Sequence, residues 1–326
     1  MADSPALDIL VLAGGISHER EISLRSGRRV TDYMLARGHR VTMREPDSTL
    51  LPFLRDNRPD VIWPALHGAS GENGSLRALL ELSEVPFVGS LAGPAALAWS
   101  KPTAKTIVRG AGVHTPASVS LPKETFRELG ADSVLTAIGE GLRFPLVVKP
   151  AMGGSAQGVN FVDTSEDLPR AMVEAYTYCD IALIEEKIFG VEVSVAILDT
   201  GEGPEALPCV EIEPLGGTYS FDARYNAGET CFYIPARLDP QVQDTLARHT
   251  IIVHEALELR HVSRIDWIVD EDGVPWFLEA NVLPGLTETS LVPQAILASG
   301  QDLGTVYTAL AKTAISSGRA NVSRET

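Results

Sequence analysis

Residues 261–281 read HVSRIDWIVDEDGVPWFLEAN, and they carry the strongest structural signal in the chain. Residues 262–269 and 276–281 alternate between apolar and polar side chains, as strands with one buried face do. Between them, the D-G step inside 270–273 is typical of a tight turn. The stretch therefore predicts an antiparallel β-hairpin.

The predicted hairpin gathers four polar side chains. Residues two apart share a strand face, so Arg264 and Asp266 point one way. Glu279 and Asn281 likewise share a face of the partner strand. If the turn centres on Glu271 and Asp272, we expect Arg264 to lie opposite Glu279. The same register places Asp266 opposite Phe277 and all four polar groups on one face.

Two explanations fit this polar face equally well on spacing alone. Two carboxylates and an amide oxygen are hard ligands that suit Mg²⁺ bridging substrate phosphates. The alternative is a solvated face with a cross-strand Arg264–Glu279 pair. The segment VLPGLT at 282–287 favours the binding site, because a glycine turn there can present backbone N–H groups to an anion.

Two lysines are candidates for phosphate binding. Lys149 ends an apolar strand just before the glycine-rich segment 153–158, whose N–H groups could approach a phosphate, forming a flap over a ligand. A plain hairpin turn is the alternative. Lys101 follows Ser100 at a predicted helix start, where a lone lysine is usually exposed to solvent.

Acidic residues and a histidine at strand ends are further candidates. Glu185 and Glu192 either recognise a nucleotide or are solvated. Residues 14–21 follow a strand and open a helix, so the glycines and helix N-terminus suit a carboxylate, whereas Glu19 suits an ammonium group. Together they would fit an amino acid, although a glutamate in a first helical turn also simply complements the helix dipole. His67 ends another strand, where histidine is more often structural.

The first hundred residues alternate short apolar runs, glycine turns and helical segments, which predicts an open parallel sheet. The runs are at 9–12, 60–66 and 85–88, with a helix over 19–37. Later strands are predicted at 145–149, 159–162 and 191–198, and a later helix at 241–257. The chain has no recognisable repeat or low-complexity linker.

Composition and motifs exclude several classes of protein. Twenty-seven Lys and Arg residues against 43 Asp and Glu residues give a net charge of −16, which disfavours nucleic acids and anionic membranes as partners. The sequence also lacks four common motifs: the Gly-Lys step of a P-loop, a G-x-G-x-x-G dinucleotide fingerprint after the first strand, a zinc-protease motif and the G-x-S-x-G of α/β-hydrolases. No segment reads as a signal peptide or membrane span, and three scattered cysteines fit a reducing compartment, so we expect a cytoplasmic protein.

Taken in order, these segments resemble the D-alanine–D-alanine ligases of the ATP-grasp superfamily, from about residue 9 to residue 300. The blocks that carry the resemblance are LAGGISHEREISLRSG, LHGASGENGSLRALLELSEVPFVGS, FPLVVKPAMGGSAQGV, IEEKIFGVEVSVAIL, YSFDARYNAGET, SRIDWIVDEDG and FLEANVLPGLTETSLVP. The resemblance implies a three-domain ATP-grasp fold, α/β with an α+β ATP-binding part. Its domains would be an N-terminal open parallel-sheet domain over 1–100, a central subdomain over 101–187 and a C-terminal subdomain over 188–326.

The resemblance also implies an activity. It is ATP-dependent formation of D-alanyl-D-alanine through an acylphosphate, for peptidoglycan synthesis. The alternative is a related ligase with another D-amino acid or D-hydroxy acid substrate in a specialised role. The implied cofactors are ATP and two Mg²⁺ ions, for which Mn²⁺ can substitute, and the implied assembly is a homodimer.

Site residues carry over position by position. The resemblance assigns catalytic roles to Glu19, Ser155, Tyr225, Arg264, Gly285 and Ser290. It assigns substrate binding to Glu19, His67, Arg264, Ser290 and Leu291. It assigns nucleotide binding to Lys101, Lys149, Ser155, Glu185, Glu192 and Arg224. It assigns the metal to Asp266, Glu279 and Asn281.

The sequence departs from the family pattern at four positions. Arg224 replaces a common lysine beside the tyrosine of the lid, which spans 216–229, so the lid's phosphate contact can differ. Ala156 replaces a frequent serine, and Ser100 and Val282 replace a common aspartate and threonine. Tyr225 favours an amine over a hydroxyl acceptor, because ligases that form D-alanyl-D-lactate usually lack that tyrosine.

Overall fold

The computed structural model describes residues 5–217, 219, 223–224 and 228–322, and within them the strands form three sheets. The N-terminal sheet is parallel, in the order β2-β1-β3. Its strands are β1 (Asp8–Leu12), β2 (Arg40–Arg44) and β3 (Val61–Pro64). The predicted open parallel sheet is confirmed, and the predicted run at 85–88 adds only a bridge from Phe87 to Ile62.

Helix α1 (Arg20–Ala36) connects the first two strands, and α2 (Leu50–Asn57) connects the next two. Gly27 lets α1 pack closely on the sheet, because a Cβ at this position would lie 2.4 Å from the Cβ of Ala13. The first turn of α1 follows the carboxyl end of β1 in the chain, and ligands bind at that end of the strands in open α/β sheets.

The other helices follow in chain order. They are α3 (Ala69–Glu72), α4 (Ser75–Leu82), α5 (Ala92–Trp99), α6 (Lys101–Gly110), α7 (Lys123–Leu129), α8 (Ala131–Gly141), α9 (Leu168–Tyr178), α10 (Pro240–Ala256), α11 (Leu291–Ala298) and α12 (Leu303–Val322). Asp239 caps α10 by accepting the Gln241 N–H at 2.8 Å, and Pro240 is its first residue. Among the described residues, no helix has both the length and the apolar character needed to cross a membrane.

The second sheet is antiparallel, in the order β4-β7-β5-β6. Its strands are β4 (Ser118–Pro122), β5 (Leu146–Pro150), β6 (Asn160–Val162) and β7 (Ile181–Glu186). Helices α8 and α9 cover its apolar face in one core cluster. The segment between β5 and β6 is the predicted glycine-rich connection, so this hairpin is confirmed.

The third sheet is also antiparallel, in the order β11-β10-β8-β12-β13, with β9 paired to β8. Its strands are β8 (Val191–Leu198), β9 (Glu205–Ala206), β10 (Val210–Pro214), β11 (Thr230–Tyr233), β12 (Val262–Val269) and β13 (Pro275–Asn281). Strands β12 and β13 are the predicted hairpin.

The predicted register of this hairpin is wrong. Arg264 pairs with Asn281, and Asp266 pairs with Glu279 rather than with Phe277. A β-bulge at this point lets Phe277 pair instead with Trp267. The physical reason is burial, because both aromatic side chains are fully buried in the core and their rings pack edge to face, 5.9 Å apart. The shift begins at the turn, where Val269 pairs with Pro275, and the bulge adds a second residue to it. The predicted register would instead have set the Asp266 carboxylate opposite the core Phe277 ring.

Some helices pack on sheets distant in the chain. Helices α5 and α6 pack on β13 and share its core cluster with Trp267. Helix α12 packs against α1 and β3. These packings cross the predicted domain boundaries at 100/101 and 187/188, which stay predictions.

Candidate active site

Two adjoining cavities lie where the three sheets approach one another. The smaller has a volume of ≈ 90 Å³ and the larger ≈ 460 Å³. Residues that line both form their common wall, and they are Lys101, Gly153, Gly154, Tyr219, Arg224 and Glu279. The two cavities therefore open onto the same polar groups.

The described residues among the predicted site all line these cavities. The smaller cavity contains Glu19, His67, Lys101, Ser155, Arg224, Arg264, Glu279, Asn281, Gly285, Ser290 and Leu291. The larger cavity contains Lys101, Lys149, Glu185, Glu192, Arg224, Asp266 and Glu279. Tyr225 lies outside the described residues.

Glu19 and Ser155 join the N-terminal domain to the glycine-rich loop. The Ser155 hydroxyl donates a hydrogen bond to the Glu19 carboxylate across the smaller cavity. Ser155 has φ +53°, a left-handed conformation that is uncommon for a non-glycine residue and often marks a functional site. The contact links residues that are 136 positions apart and closes one side of the cavity.

His67 holds the segment after β13 in place. Its Nδ1 lies 3.1 Å from the Leu283 carbonyl oxygen and its Nε2 lies 3.0 Å from the Ser26 hydroxyl. A carbonyl can only accept, so Nδ1 carries the proton and Nε2 accepts from Ser26. Ser26 in turn accepts the Leu286 N–H at 3.2 Å. Because burial lowers the pKa of His67, the ring is neutral and its role in this structure is positional.

The four polar residues of the hairpin share one face, as predicted. Arg264 donates from Nε and from a terminal nitrogen to the two Asp266 oxygens, at 2.8 Å each. Ser194 on β8 donates to the same carboxylate at 2.7 Å. The Asn281 side-chain oxygen accepts the Leu283 N–H at 2.8 Å. Arg264 is thus oriented by a two-point contact.

Glu279 is the electrostatic centre of the common wall. Its carboxylate lies 3.2 Å from the Lys101 ammonium. Burial opposes its ionisation, but Lys101, Arg224 and other nearby cations outweigh burial and lower its pKa to about 2. Glu279 is therefore an anion throughout the physiological pH range.

The donor set fits a divalent cation that also binds the substrate. Within the described part of the chain, no three His, Cys, Asp or Glu side chains form a metal site by themselves. Asp266 and Glu279 nevertheless pair directly across the hairpin, with Asn281 on the same face. Carboxylate and amide oxygens suit Mg²⁺, which usually takes one or two carboxylates and completes its shell with phosphates and water.

Lysines surround the larger cavity. Lys101 donates to the Gly153 carbonyl at 2.6 Å, which fixes the start of the glycine-rich loop. Lys149 forms an ion pair with Glu185. Gly153 has φ +132°, which is accessible almost only to glycine, so the loop backbone here depends on that residue.

Glu192 and Arg224 line the larger cavity at its other side. Burial raises the pKa of Glu192 to about 7, so this carboxyl is partly protonated at neutral pH. The Arg224 guanidinium lies over the Tyr219 ring, 4.2 Å from its centroid. Arg224 also donates to the Tyr219 carbonyl at 3.3 Å, and this places its charge between the two cavities.

Several lining residues were not among the predictions. They are Ile22, Glu72, Trp99, Thr287, Thr289 and Tyr219. Glu72 lies inside the quoted block LHGASGENG, so its proximity to His67 was the available signal. It is buried and accepts the Gly68 N–H at 2.9 Å. Burial and the neighbouring Glu19 raise its pKa to about 8.

We expect Glu72→Gln to change how stability depends on pH. A carboxyl whose folded pKa exceeds its unfolded value keeps a proton that the unfolded chain loses, so its contribution to stability falls as pH rises from about 4.5 to about 8. Glutamine does not titrate. The stability of the variant relative to the parent should therefore rise with pH, by about 1.4 kcal/mol per unit of pKa difference.

Urea unfolding at pH 5, 6, 7 and 8 measures this difference. Glu202→Gln, the same replacement at an exposed side chain, is the control for the substitution itself. Parallel stability curves for the parent and the Glu72 variant would contradict the expectation.

Comparisons with known proteins give one consistent family. The family described as D-ala D-ala ligase C-terminus matches residues 107–312. The D-alanine–D-alanine ligase of Pelotomaculum thermopropionicum is 35% identical over 294 residues, covering 90% of this chain and 92% of the relative. The D-alanine–D-alanine ligase of Gloeobacter violaceus is 39% identical over 298 residues, covering 90% of this chain and 95% of the relative.

Solved structures agree. The D-alanine–D-alanine ligase of Bacillus anthracis is 26% identical, with a TM-score of 0.82, covering 97% of this chain and 100% of that one. The structure of that enzyme complexed with ATP is 25% identical, with a TM-score of 0.81, and covers 97% of this chain and 100% of that one. The VanG D-Ala:D-Ser ligase of Enterococcus faecalis has the same fold, with a TM-score of 0.82 at 24% identity, over 95% of this chain and 100% of that one.

Proposed function

The chain belongs to the D-alanine–D-alanine ligase family of ATP-dependent ligases, and we propose that its larger cavity binds ATP and its smaller cavity two D-alanine molecules. The observation that carries this assignment is the lining of the cavities. Lysines and the glycine-rich loop line the larger one, whereas the smaller one combines Glu19 with the segment around Gly285. The product, D-alanyl-D-alanine, is the dipeptide used in peptidoglycan.

In the proposed reaction, Glu19 binds the ammonium group of the first D-alanine. Ser155 holds the Glu19 carboxylate, and His67 holds the neighbouring segment, so the site is preorganised. The carboxylate of this D-alanine then faces the common wall. There it attacks the γ-phosphorus of ATP, so that ADP leaves and an acylphosphate forms.

Lys101 and Lys149 bind the ATP phosphates in this proposal, with Arg224 above them. Negative charge spreads over the transferring phosphoryl group, and fixed cations stabilise it. Asp266, Glu279 and Asn281 would hold Mg²⁺, with Mn²⁺ as a substitute and two ions as the family implies. Mg²⁺, when bound, supplies further charge neutralisation at the phosphates. Glu185, which is ion-paired with Lys149, and Glu192 also line the larger cavity and complete the proposed nucleotide-binding set.

The second D-alanine completes the reaction. Its neutral amine attacks the acyl carbon and the carbonyl oxygen becomes an anion. Phosphate leaves when the carbonyl re-forms, and the nitrogen releases its extra proton to the departing phosphate or to water. Arg264 and the Gly285 N–H stabilise that anion. Ser290 and the Leu291 N–H, at the start of α11, bind the carboxylate of the second D-alanine. The lid over 216–229 excludes water from the acylphosphate.

We expect Gly285→Ala to weaken binding of the second D-alanine. A Cβ at Gly285 would lie 2.7 Å from the Ser290 hydroxyl oxygen, so that hydroxyl must move. The hydroxyl also accepts the Thr287 N–H at 3.0 Å, and this contact resists the shift. Loss of one hydrogen bond to a carboxylate should raise the KM of the second D-alanine about tenfold or more.

Initial-rate kinetics at saturating ATP give this KM. Gly139→Ala on α8 is the matched control, because a Cβ there meets only an ordinary contact at 3.7 Å. An unchanged KM in folded Gly285→Ala would contradict the assignment of the Ser290 hydroxyl to the carboxylate of the second D-alanine.

ADP release measured with pairs of substrates tests the function as a whole. The proposal expects strong release with D-alanine alone and a product with the mass of D-alanyl-D-alanine. Turnover that requires D-serine, D-lactate or an L-amino acid in place of D-alanine would overturn it.

Three features of the cellular context are also proposed. We infer a cytoplasmic location, which Cys179, Cys209 and Cys231 support because all are free thiols. The homodimer rests on the family resemblance. The domain boundaries at 100/101 and 187/188 are to be tested by limited proteolysis.

A further inference from the structure

Lys105 is a buried cation that the proposed reaction does not use. Its side chain is 2% exposed, and its Nζ lies 2.9 Å from Glu185 Oε2 and 3.3 Å from the Phe277 carbonyl oxygen. It lines neither cavity. Burying an ammonium group is costly, and an apolar replacement of a buried ion pair often does not reduce stability. Stability alone therefore does not explain why a lysine occupies this position.

Glu185 is shared between two lysines. Its Oε2 faces Lys105, and its Oε1 forms the ion pair with Lys149. All three side chains are buried, with side-chain exposures of 2%, 3% and 9% for Lys105, Glu185 and Lys149. Burial opposes ionisation of Glu185, yet the two lysines outweigh it and lower its pKa. Burial lowers the pKa of Lys105 to about 8, so the ammonium is mostly protonated at pH 7 and two cations and one anion then leave a net charge of +1.

The surplus positive charge lies at the wall of the larger cavity. Lys149 and Glu185 line the larger cavity, whereas Lys105 lies behind them. A Lys149–Glu185 pair alone would be neutral and would offer a phosphate little net attraction. With Lys105 balancing the carboxylate, the charge of Lys149 is available to a ligand in the cavity.

Helix α6 explains how Lys105 reaches this position. Lys101 and Lys105 are four residues apart and so lie on the same face of the helix. Lys101 contacts the glycine-rich loop and Glu279. One turn later, Lys105 contacts both β7, through Glu185, and β13, through the Phe277 carbonyl. Through these two lysines the helix contacts both antiparallel sheets that border the larger cavity.

We propose that Lys105 is a positioning residue for ATP: it neutralises Glu185 from behind, so that Lys149 keeps a net positive charge directed at the phosphates. This inference rests on the proposed assignment of the larger cavity to ATP. It predicts that Lys105 affects ATP binding through Glu185 and has no effect on D-alanine binding.

Lys105→Met is the first variant. We expect its KM for ATP to rise about tenfold, the effect of weakening one charge-assisted contact. The KM for D-alanine should stay unchanged. Lys123→Met is the matched control, since it removes another lysine–carboxylate pair, with Asp180, next to the same sheet but outside both cavities. That control should keep the parent KM for ATP.

Lys105→Met combined with Glu185→Gln separates charge balance from packing. Without the carboxylate, Lys149 regains its net charge, so the KM for ATP should fall back towards the parent value. Lys105→Gln keeps a donor for the Phe277 carbonyl but loses the charge, and it serves if the methionine variant does not fold. It should behave like Lys105→Met. Calorimetric titration with Mg-ADP checks that the KM changes reflect binding.

Three results would overturn the inference in folded variants. They are a parent-like KM for ATP after loss of the Lys105 charge, an equal rise in the KM for D-alanine, and no recovery in the double variant. Absence of D-alanine-dependent ADP release in the parent enzyme would instead overturn the proposed function. The two failures are therefore distinguishable.

Discussion

Glu279→Gln should leave the fold intact and lower ligase turnover at least about 100-fold. Glu279 is the anion that Lys101, Arg224, Lys149 and Arg264 jointly surround, and these cations hold its pKa at about 2 despite burial. Glutamine keeps the size of the side chain but is neutral. It would leave the cations uncompensated and remove one of the two carboxylates proposed to hold Mg²⁺.

The measurement is ADP release with D-alanine across a range of Mg²⁺ concentrations, with thermal unfolding of the free protein as the check on folding. Glu213→Gln is the matched control. Glu213 belongs to the same sheet and contacts Tyr233 and Arg237 outside the two cavities. Turnover and Mg²⁺ dependence like those of the parent, in folded Glu279→Gln, would refute the metal assignment.

Arg264→Lys should have an effect of similar size, with turnover reduced about 100- to 1000-fold. Lysine retains the charge but cannot make the two parallel contacts that orient the guanidinium on Asp266. The donor would then no longer be fixed at the position proposed for the anion of the tetrahedral intermediate. Keeping a cation beside Asp266 avoids the penalty of a buried unpaired carboxylate, so the variant should fold.

Single-turnover rates measure this effect directly, because they separate chemistry from product release. Arg237→Lys supplies the control, since Arg237 makes a comparable contact with the Glu211 carboxylate on the same sheet, away from the cavities. A parent-like rate in Arg264→Lys would show that orientation of the guanidinium is not needed.

The hairpin shows how far reasoning from the sequence could go. Alternation placed Arg264, Asp266, Glu279 and Asn281 on one face, and the structure confirms this. The predicted register is wrong by one residue at the turn, where Val269 pairs with Pro275, and by a second residue beyond the bulge, because a bulge leaves no distinct pattern in a short strand. The bulge is visible only in the packing of Trp267 on Phe277, which joins residues from two strands.

His67 and Glu185 show what local pattern cannot supply. The sequence marks both as polar residues at strand ends, with a structural role as the alternative for His67 and solvation as the alternative for Glu185. The structure buries both of them, His67 between Ser26 and Leu283 and Glu185 between two lysines. Their partners come from distant parts of the chain, so no spacing in the sequence could identify them.

The sequence by itself determined the parallel N-terminal sheet, the two hairpins and most of the charged residues that line the two cavities, although not Glu72. Backbone periodicity and residue chemistry act over a few positions, and therefore they can be read locally. Only the tertiary structure decided how charges combine: Asp266 with Arg264, Glu279 with Lys101, and Lys105 behind Glu185. Electrostatic interactions depend on distance in space and on burial, and both arise only when the sheets pack together.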